Sequence, residues 1–247
     1  MKAAPEAQLR LLDLQQLDST LGRLAHRRRT LPELAEYEAL ERQAGELRDA
    51  IVAAETEVSD LDREQAKAER DVDSVRQRAD RDRDRLDSGQ VSSARDLENL
   101  QSEIVSLQRR QSDLEEVVLE IMERREAADN KLTDLRRVRA QQEEKLGEVA
   151  ARRDGALRDL DDEAGQTSAA RTAVAKDIPD DLLSLYERLR GQLGGVGAAA
   201  LLRGQCQGCH LALNTVDLNR IRSAPPDEVV RCEECRRILV RTAESGL

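Results

Sequence analysis

The sequence has almost no aromatic side chains: it contains no Trp, no Phe and two Tyr among 247 residues. Aromatic residues supply much of the buried area in ordinary globular cores, so this chain lacks the material for a wide core. Charged residues make up 36% of the chain and hydrophobic residues 39%. This composition is typical of long helices that bury only a narrow apolar stripe.

Histidine is also scarce, and its placement argues against catalysis. The two histidines, His26 and His210, lie in distant parts of the chain. No nucleophile can therefore be matched with a histidine base in a triad. The many carboxylates are typical of a solvated helical surface with charge pairs at helical spacing. We expect a protein that is not an enzyme and has no small-molecule substrate.

Long apolar runs are missing as well. No stretch approaches the roughly 20 apolar residues that span a bilayer, and residues 1–6 resemble neither a signal core nor a transit helix. We therefore expect a cytoplasmic protein without membrane contact. The formal net charge of −10 opposes general attraction to phosphate backbones, so any contact with nucleic acid would have to be local.

Two stretches show apolar or small residues at alternating steps of four and three, which is the heptad pattern of a coiled coil. The first stretch comprises Leu40, Ala44, Leu47, Ile51, Ala54, Val58, Leu61, Ala68, Val72, Val75 and Ala79. The second runs from Leu97 to Leu160, and three arginines interrupt it: Arg125, Arg139 and Arg153. The looser second stretch suggests a surface that could repack against a partner helix.

Residues 87–93 separate the two stretches and include Gly89, which can adopt a positive φ. The sequence therefore predicts an antiparallel coiled-coil hairpin over residues 1–177, with its turn near 87–93. Pro32 lacks a backbone donor and should kink or break the first arm.

The remaining residues predict a small domain with short strands. Residues 178–197 are interpreted as a short helix followed by a glycine-rich linker, and residues 198–247 as a separate ribbon domain. Short apolar runs at 198–202, 229–230 and 238–240 indicate strands. The predicted fold class is mainly α, with this β-containing domain at the C-terminus.

All four cysteines lie in this last segment, as two Cys-x-x-Cys pairs: Cys206 with Cys209, and Cys232 with Cys235. The 22 residues between the pairs are close to the spacing of zinc sites. Each pair can bend into a knuckle that presents two thiolates to one ion. The sequence thus predicts one structural Zn²⁺, with no open position for water or substrate.

Two other readings of the cysteines are weaker. Cys206, Cys209 and His210 satisfy the Cys-x-x-Cys-His pattern of haem attachment, but that reading needs export and leaves Cys232 and Cys235 unexplained. A redox role, including a thiol sensor that releases zinc on oxidation, has no βαβ context to support it. We expect His210 to be a surface residue or a residue beside the ligands.

Two groups of arginines are candidate partner-binding residues. Near the predicted turn they are Arg81, Arg83, Arg85 and Arg95; around the second cysteine pair they are Arg231, Arg236, Arg237 and Arg241. A solvated charged surface is the simpler interpretation of both groups. The alternative is an acidic or nucleic-acid partner.

The order of these parts resembles a family of bacterial, including actinobacterial, coiled-coil proteins that end in a four-cysteine zinc ribbon. The resemblance is carried by residues 95–104, 206–210 and 230–239. It implies that the four cysteines bind zinc. Family members often have glycine after the last cysteine, where this chain has Arg236. The family is commonly labelled as nucleic-acid binding, and some relatives look like adaptors for transcription or secretion components.

These features lead to two hypotheses. The first is a zinc-binding coiled-coil adaptor that mediates protein–protein interaction. The second is a zinc ribbon that binds DNA or RNA through the arginines near Cys232 and Cys235 and is sensitive to salt.

Overall fold

A computed structural model describes residues 1–89, 91 and 93–247 of the chain. The helices are α1 (Pro5–Arg29), α2 (Pro32–Asp87), α3 (Ala94–Lys176), α4 (Asp180–Gln192) and α5 (Thr215–Ser223). The strands are β1 (Ala198–Leu202), β2 (Gln205–Cys206), β3 (Val230–Arg231) and β4 (Ile238–Arg241). The chain divides into two compact units, residues 36–149 and residues 1–35 with 150–247. We call them the hairpin unit and the ribbon unit.

The hairpin unit consists of parts of α2 and α3, and its apolar seam is the predicted one. Buried seam residues form two clusters, one around Ile51, Ala54 and Leu132 and the other around Leu61 and Ile121. Polar pairs between the helices show that they run antiparallel, because the partner number on α3 falls as the number on α2 rises. Three such pairs are Glu55–Arg136, Glu57–Lys131 and Asp62–Arg125, at 2.7, 3.3 and 2.5 Å.

The predicted turn at 87–93 includes Gln90 and Ser92, which lie outside the described residues. Helix α2 ends at Asp87, and Gly89 has a φ of 65°. This is the left-handed conformation that glycine adopts without steric cost. The sequence anticipated this feature at Gly89.

Pro32 begins a new helix, as the sequence predicted for this position. Helix α1 ends at Arg29, and Pro32 is the first residue of α2, where its missing N–H costs no helical hydrogen bond. Leu31, in the short connection, is buried with Leu24 and Leu160. The break therefore places an apolar side chain in the ribbon unit.

The ribbon unit contains a four-stranded sheet of order β2-β1-β4-β3. The central strands β1 and β4 are parallel, with Ala198 opposite Ile238, whereas β2 and β3 pair antiparallel with them. The observed strands match the three apolar runs of the sequence and add β2. Helix α5 lies between β2 and β3 along the chain.

The core of the ribbon unit joins helices and strands from both ends of the chain. Ala7, Leu11 and Leu14 of α1 pack with Leu182, Tyr186 and Leu189 of α4 and with Ala198, Ile238 and Val240 of the sheet. The first strand of the sheet packs directly on α1 and α4. The division into domains at residues 177 and 197 stays a prediction.

Candidate metal centre

The two cysteine pairs lie at the ends of short strands. Cys206 is the last residue of β2, and Cys232 follows β3. A two-residue strand cannot bury much surface, so the loops that follow must be fixed by other interactions. Backbone hydrogen bonds and the core beneath the loops provide them.

The same hydrogen-bond pattern closes both loops. The N–H of Cys206 donates to the carbonyl of Leu211 (3.0 Å), and the N–H of His210 donates to the carbonyl of Cys206 (2.8 Å). In the second loop, the N–H of Cys232 donates to the carbonyl of Arg237 (3.0 Å), and the N–H of Arg236 donates to the carbonyl of Cys232 (2.9 Å). The two pairs are therefore equivalent knuckles.

The residue after each second cysteine adopts a left-handed backbone. His210 has a φ of 60° and Arg236 a φ of 64°. Such conformations are strained for residues with a Cβ atom. Glycine at either position would relieve this strain.

The four thiols converge on one point. All four Sγ atoms lie within 4.8 Å of one another, and all four cysteines are free of disulfides. Sγ of Cys206 is 3.8 Å from that of Cys235, and Sγ of Cys209 is 3.9 Å from that of Cys232. A tetrahedral ion with Zn–S bonds of about 2.3 Å requires S···S separations of about 3.8 Å. The thiol arrangement fits one zinc ion.

The site is also part of the core. Cys206 and Cys232 are buried beside Leu201, Ile221 and Leu239. Burial raises the pKa of Cys206 to about 12 and also raises the pKa of Cys232. Burial also opposes ionisation of Cys235, but hydrogen bonds led by those from Arg237 outweigh it and lower its pKa to about 7. Two thiols would thus stay protonated without a cation, and a bound ion would replace their protons.

Comparison with known proteins agrees with this architecture. Residues 14–194 match the family described as CT398-like coiled coil hairpin domain. Residues 205–239 match the family described as C4-type zinc ribbon domain. The chain belongs to the CT398-like family. Its four clustered cysteines form a C4-type zinc ribbon consistent with one structural Zn²⁺, so the protein is a zinc-binding coiled-coil protein.

Individual relatives cover nearly the whole chain. An uncharacterized protein of Mycobacterium tuberculosis is 38% identical over 241 residues, which is 98% of each chain. A solved structure from Mycobacterium smegmatis is 39% identical, covers 98% of this chain and 100% of its own, and has a TM-score of 0.86. The structure of CT398 from Chlamydia trachomatis is 20% identical, covers 96% of this chain and 98% of its own, and has a TM-score of 0.73. The last likeness concerns the fold alone.

The histidine beside the first knuckle of this CT398-like protein does not join the metal cluster. Within the described residues, the group of possible metal ligands at this site consists of four thiols. His210 is exposed, and its carbonyl accepts a hydrogen bond from the Gln205 side chain at 2.6 Å. The match to a C4-type zinc ribbon covers both cysteine pairs, including Cys232 and Cys235, which haem attachment would leave unexplained.

Two of the four ribbon arginines, Arg237 and Arg241, each donate to more than one backbone carbonyl. Arg237 donates to the carbonyls of Val196 and Leu193, both at 3.0 Å. Arg241 donates to five carbonyls between residues 221 and 228, at 2.7 to 3.4 Å. Their guanidinium groups hold the linker and the loop after α5. These contacts leave fewer donors for a phosphate ligand.

The other candidate arginines are more accessible. Arg231 and Arg236 are exposed, although Arg231 donates to the carbonyl of Arg236 (2.8 Å) and Arg236 pairs with Glu233 (3.3 Å). In the hairpin unit, Arg81, Arg85 and Arg95 are exposed, and half-buried Arg83 pairs with Asp80 at 2.9 Å. Their role in partner binding stays a prediction.

One polar cluster in the ribbon unit has no counterpart in the sequence analysis. The Asp18 side chain is only 1% exposed and accepts hydrogen bonds from Arg171 (2.7 Å), Arg190 (3.1 Å) and the Tyr186 hydroxyl (2.7 Å). Burial raises the pKa of Tyr186, and the adjacent Asp18 adds to this effect. The cluster joins α1, α3 and α4. The one signal in the sequence is Tyr186 itself, because aromatic residues are rare in this chain.

Gln15 extends this cluster to the sheet. Its Oε1 accepts a hydrogen bond from the N–H of Gly197 at 2.8 Å and lies 3.2 Å from the Tyr186 hydroxyl oxygen, while its Nε2 donates to the carbonyl of Gly195 at 3.0 Å. A Cβ on Gly197 would lie 2.7 Å from the carbonyl oxygen of Tyr186. This close approach explains the need for glycine at the start of β1.

Among the described residues, no helix has the length and apolar character needed to cross a membrane.

Proposed function

We propose that this protein is a non-enzymatic adaptor that binds another protein through its hairpin unit, while the zinc ribbon stabilises the fold. The observation that carries the proposal is the exposure of large apolar side chains on the hairpin unit. They include Val52, Val105, Val117, Leu119, Met122 and Val138. Among them, Leu119 and Met122 line the same opening, and apolar side chains exposed together are characteristic of surfaces that bind partners.

The metal centre supports this assignment through its chemistry. Four thiolates fill the coordination shell of a tetrahedral ion, so a structural role needs no further ligand. The adaptor's binding surface is then expected away from the ion. The cytoplasm is the compartment we propose, since free thiols persist there.

The test is affinity capture of the tagged, zinc-loaded protein from the cytoplasm of its own cells, with and without nuclease treatment. We expect a defined protein to be retained after nuclease. Photo-crosslinking from residue 119 should label that protein, whereas crosslinking from an exposed ribbon position such as 216 should not. Loss of all protein partners on nuclease treatment would contradict the proposal.

The second candidate function, binding of nucleic acid by the ribbon, rests on exposed Arg231 and Arg236. Fluorescent single-stranded RNA and duplex DNA should then bind with an affinity that falls steeply with salt. Replacing both arginines with Gln should abolish such binding. Unchanged affinity in that variant would exclude the ribbon as the site.

A further inference from the structure

A groove opens along one side of the hairpin unit where the seam loses its apolar residues. Gln65 on α2 and Arg125 on α3 stand at heptad positions, and both line the same opening. Arg125 turns toward Asp62, at 2.5 Å, and therefore does not fill the space as a leucine would. The opening has a volume of about 640 Å³.

The groove continues along the helices. A second opening of about 450 Å³ shares Glu69 and Leu119 with the first and extends to Asp73 and Glu115. From Glu115 to Glu126 the helix advances about 16 Å at 1.5 Å per residue. This length matches three turns of a docked helix.

The floor of the groove is apolar and exposed. Leu119 is 59% exposed and Met122 45% exposed, and both line the larger opening. They lie three residues apart on α3 and therefore on the same helical face. Methionine adapts to different partner side chains because its chain is flexible and polarisable.

The walls of the groove are acidic. One lining residue is basic, Arg125, and it is already paired with Asp62. The acidic lining residues of the two openings are Asp62, Glu69, Asp73, Glu115, Glu123 and Glu126. In the part of the chain that the structure describes, Asp73, Glu123 and Glu126 form no ion pair. Their charges are available to a ligand.

We infer that this groove binds a basic amphipathic helix of about three turns, with apolar residues on one face and Lys or Arg on its flanks. Apolar contact with Leu119 and Met122 would provide burial, and the acidic walls would select the charge of the partner. The inference rests on the proposed adaptor function and names the class of segment that the adaptor recognises.

The test uses the full zinc-loaded chain and a fluorescein-labelled 18-residue helical peptide of leucine and lysine, with all leucines on one face. A peptide with glutamate in place of lysine is the charge control. Fluorescence anisotropy should show saturable binding of the lysine peptide at one site per chain. The glutamate peptide should bind at least tenfold more weakly.

Charge-reversal variants locate the site. The Glu123→Lys/Glu126→Lys variant should weaken binding of the lysine peptide at least tenfold. The matched Glu144→Lys/Glu148→Lys variant changes net charge equally at exposed positions of the same helix, and it should bind within twofold of wild type. Equal weakening in both variants would mean nonspecific attraction to an acidic protein and would overturn the inference.

The apolar floor is tested by Leu119→Ser/Met122→Ser, which should also weaken binding about tenfold while leaving the helical circular dichroism unchanged. If light scattering instead shows a dimer that this variant dissociates, the occupant is a second copy and the inference is wrong. If the peptide does not bind but nuclease-resistant capture succeeds, the adaptor function stands and the inferred partner class fails.

Discussion

At the scale of single residues, each metal-binding knuckle requires one residue in the left-handed backbone conformation, and the residue present there has a Cβ atom that strains it. His210 and Arg236 both have positive φ, at 60° and 64°. The hydrogen bonds that close each knuckle involve the N–H of these residues, so the loop cannot relax without opening the metal site. Metal binding and core packing together stabilise a left-handed backbone conformation that is unfavourable for residues with a Cβ atom.

Replacing Arg236 with Gly should therefore stabilise the zinc-loaded protein, by about 1 kcal/mol. Loss of the exposed pair with Glu233 should offset little of this gain. Thermal unfolding followed by circular dichroism measures the effect, with Arg231→Gly in β3 as the control that should not stabilise. A lower melting temperature for Arg236→Gly than for wild type would contradict the strain argument.

Asp82 in the hairpin unit is a buried carboxylate with an unsatisfied oxygen atom. It is only 9% exposed, and among the described residues its Oδ2 has no hydrogen-bond partner. A buried polar atom without a partner costs about 1 to 3 kcal/mol. Asp82→Leu should slow hydrogen exchange in residues 75–87, since it removes this cost. Asp84→Leu, at an exposed neighbouring position, should leave exchange nearly unchanged, and equal effects would refute the explanation.

At the scale of elements, the buried cluster around Asp18 attaches α1 to α3 and α4. One carboxylate accepts from Arg171, Arg190 and Tyr186. Helix α1 thus contributes both apolar side chains and a charge to the core of the ribbon unit. Both guanidinium groups also pair with Glu187, so Asp18 and Glu187 share the two arginines.

Asp18→Ala should destabilise the ribbon unit by about 2 kcal/mol, since Arg171 and Arg190 then keep Glu187 alone and the buried Tyr186 hydroxyl loses its carboxylate acceptor. The measurement is the unfolding midpoint in urea. Asp13→Ala on the same helix removes an exposed pair with Arg10 at 3.2 Å and should cost at most about 0.5 kcal/mol. Similar losses in the two variants would show that the cluster contributes no more than a surface pair.

At the scale of the whole molecule, the chain separates into a unit held by a helical seam and a unit held jointly by zinc and an apolar core. The sheet of the ribbon unit lies on α1 and α4, with Ala198, Ile238 and Val240 in their shared core. Loss of the metal should therefore spread beyond the cysteines.

Removal of zinc by a chelator should increase hydrogen exchange in residues 198–241 and also in α1 and α4. Exchange at the seam of the hairpin unit, around Ile51 and Leu132, should not change, because those contacts lie within the other compact unit. The Cys206→Ser/Cys232→Ser variant should give the same pattern. Protection of α1 that survives zinc loss would favour the independent ribbon domain that the sequence suggested.

The sequence by itself determined the periodic features of this protein. The heptads specified the seam, since the spacing of buried residues in a helix depends only on helical geometry. Pro32 specified a break, and the spacing of Cys206, Cys209, Cys232 and Cys235 specified a zinc site. Each is a pattern of spacing or residue type that can be identified along the sequence.

Only the tertiary structure decided which distant segments meet. It placed α1 under the sheet, joined Asp18 to Arg171 and Tyr186, and directed Arg237 and Arg241 to backbone carbonyls. A charged or polar side chain has the same appearance in the sequence whether it faces water or a buried partner. The role of Asp18 depends on contacts with residues 153 and 168 positions away, and such contacts leave no periodic signal in one chain.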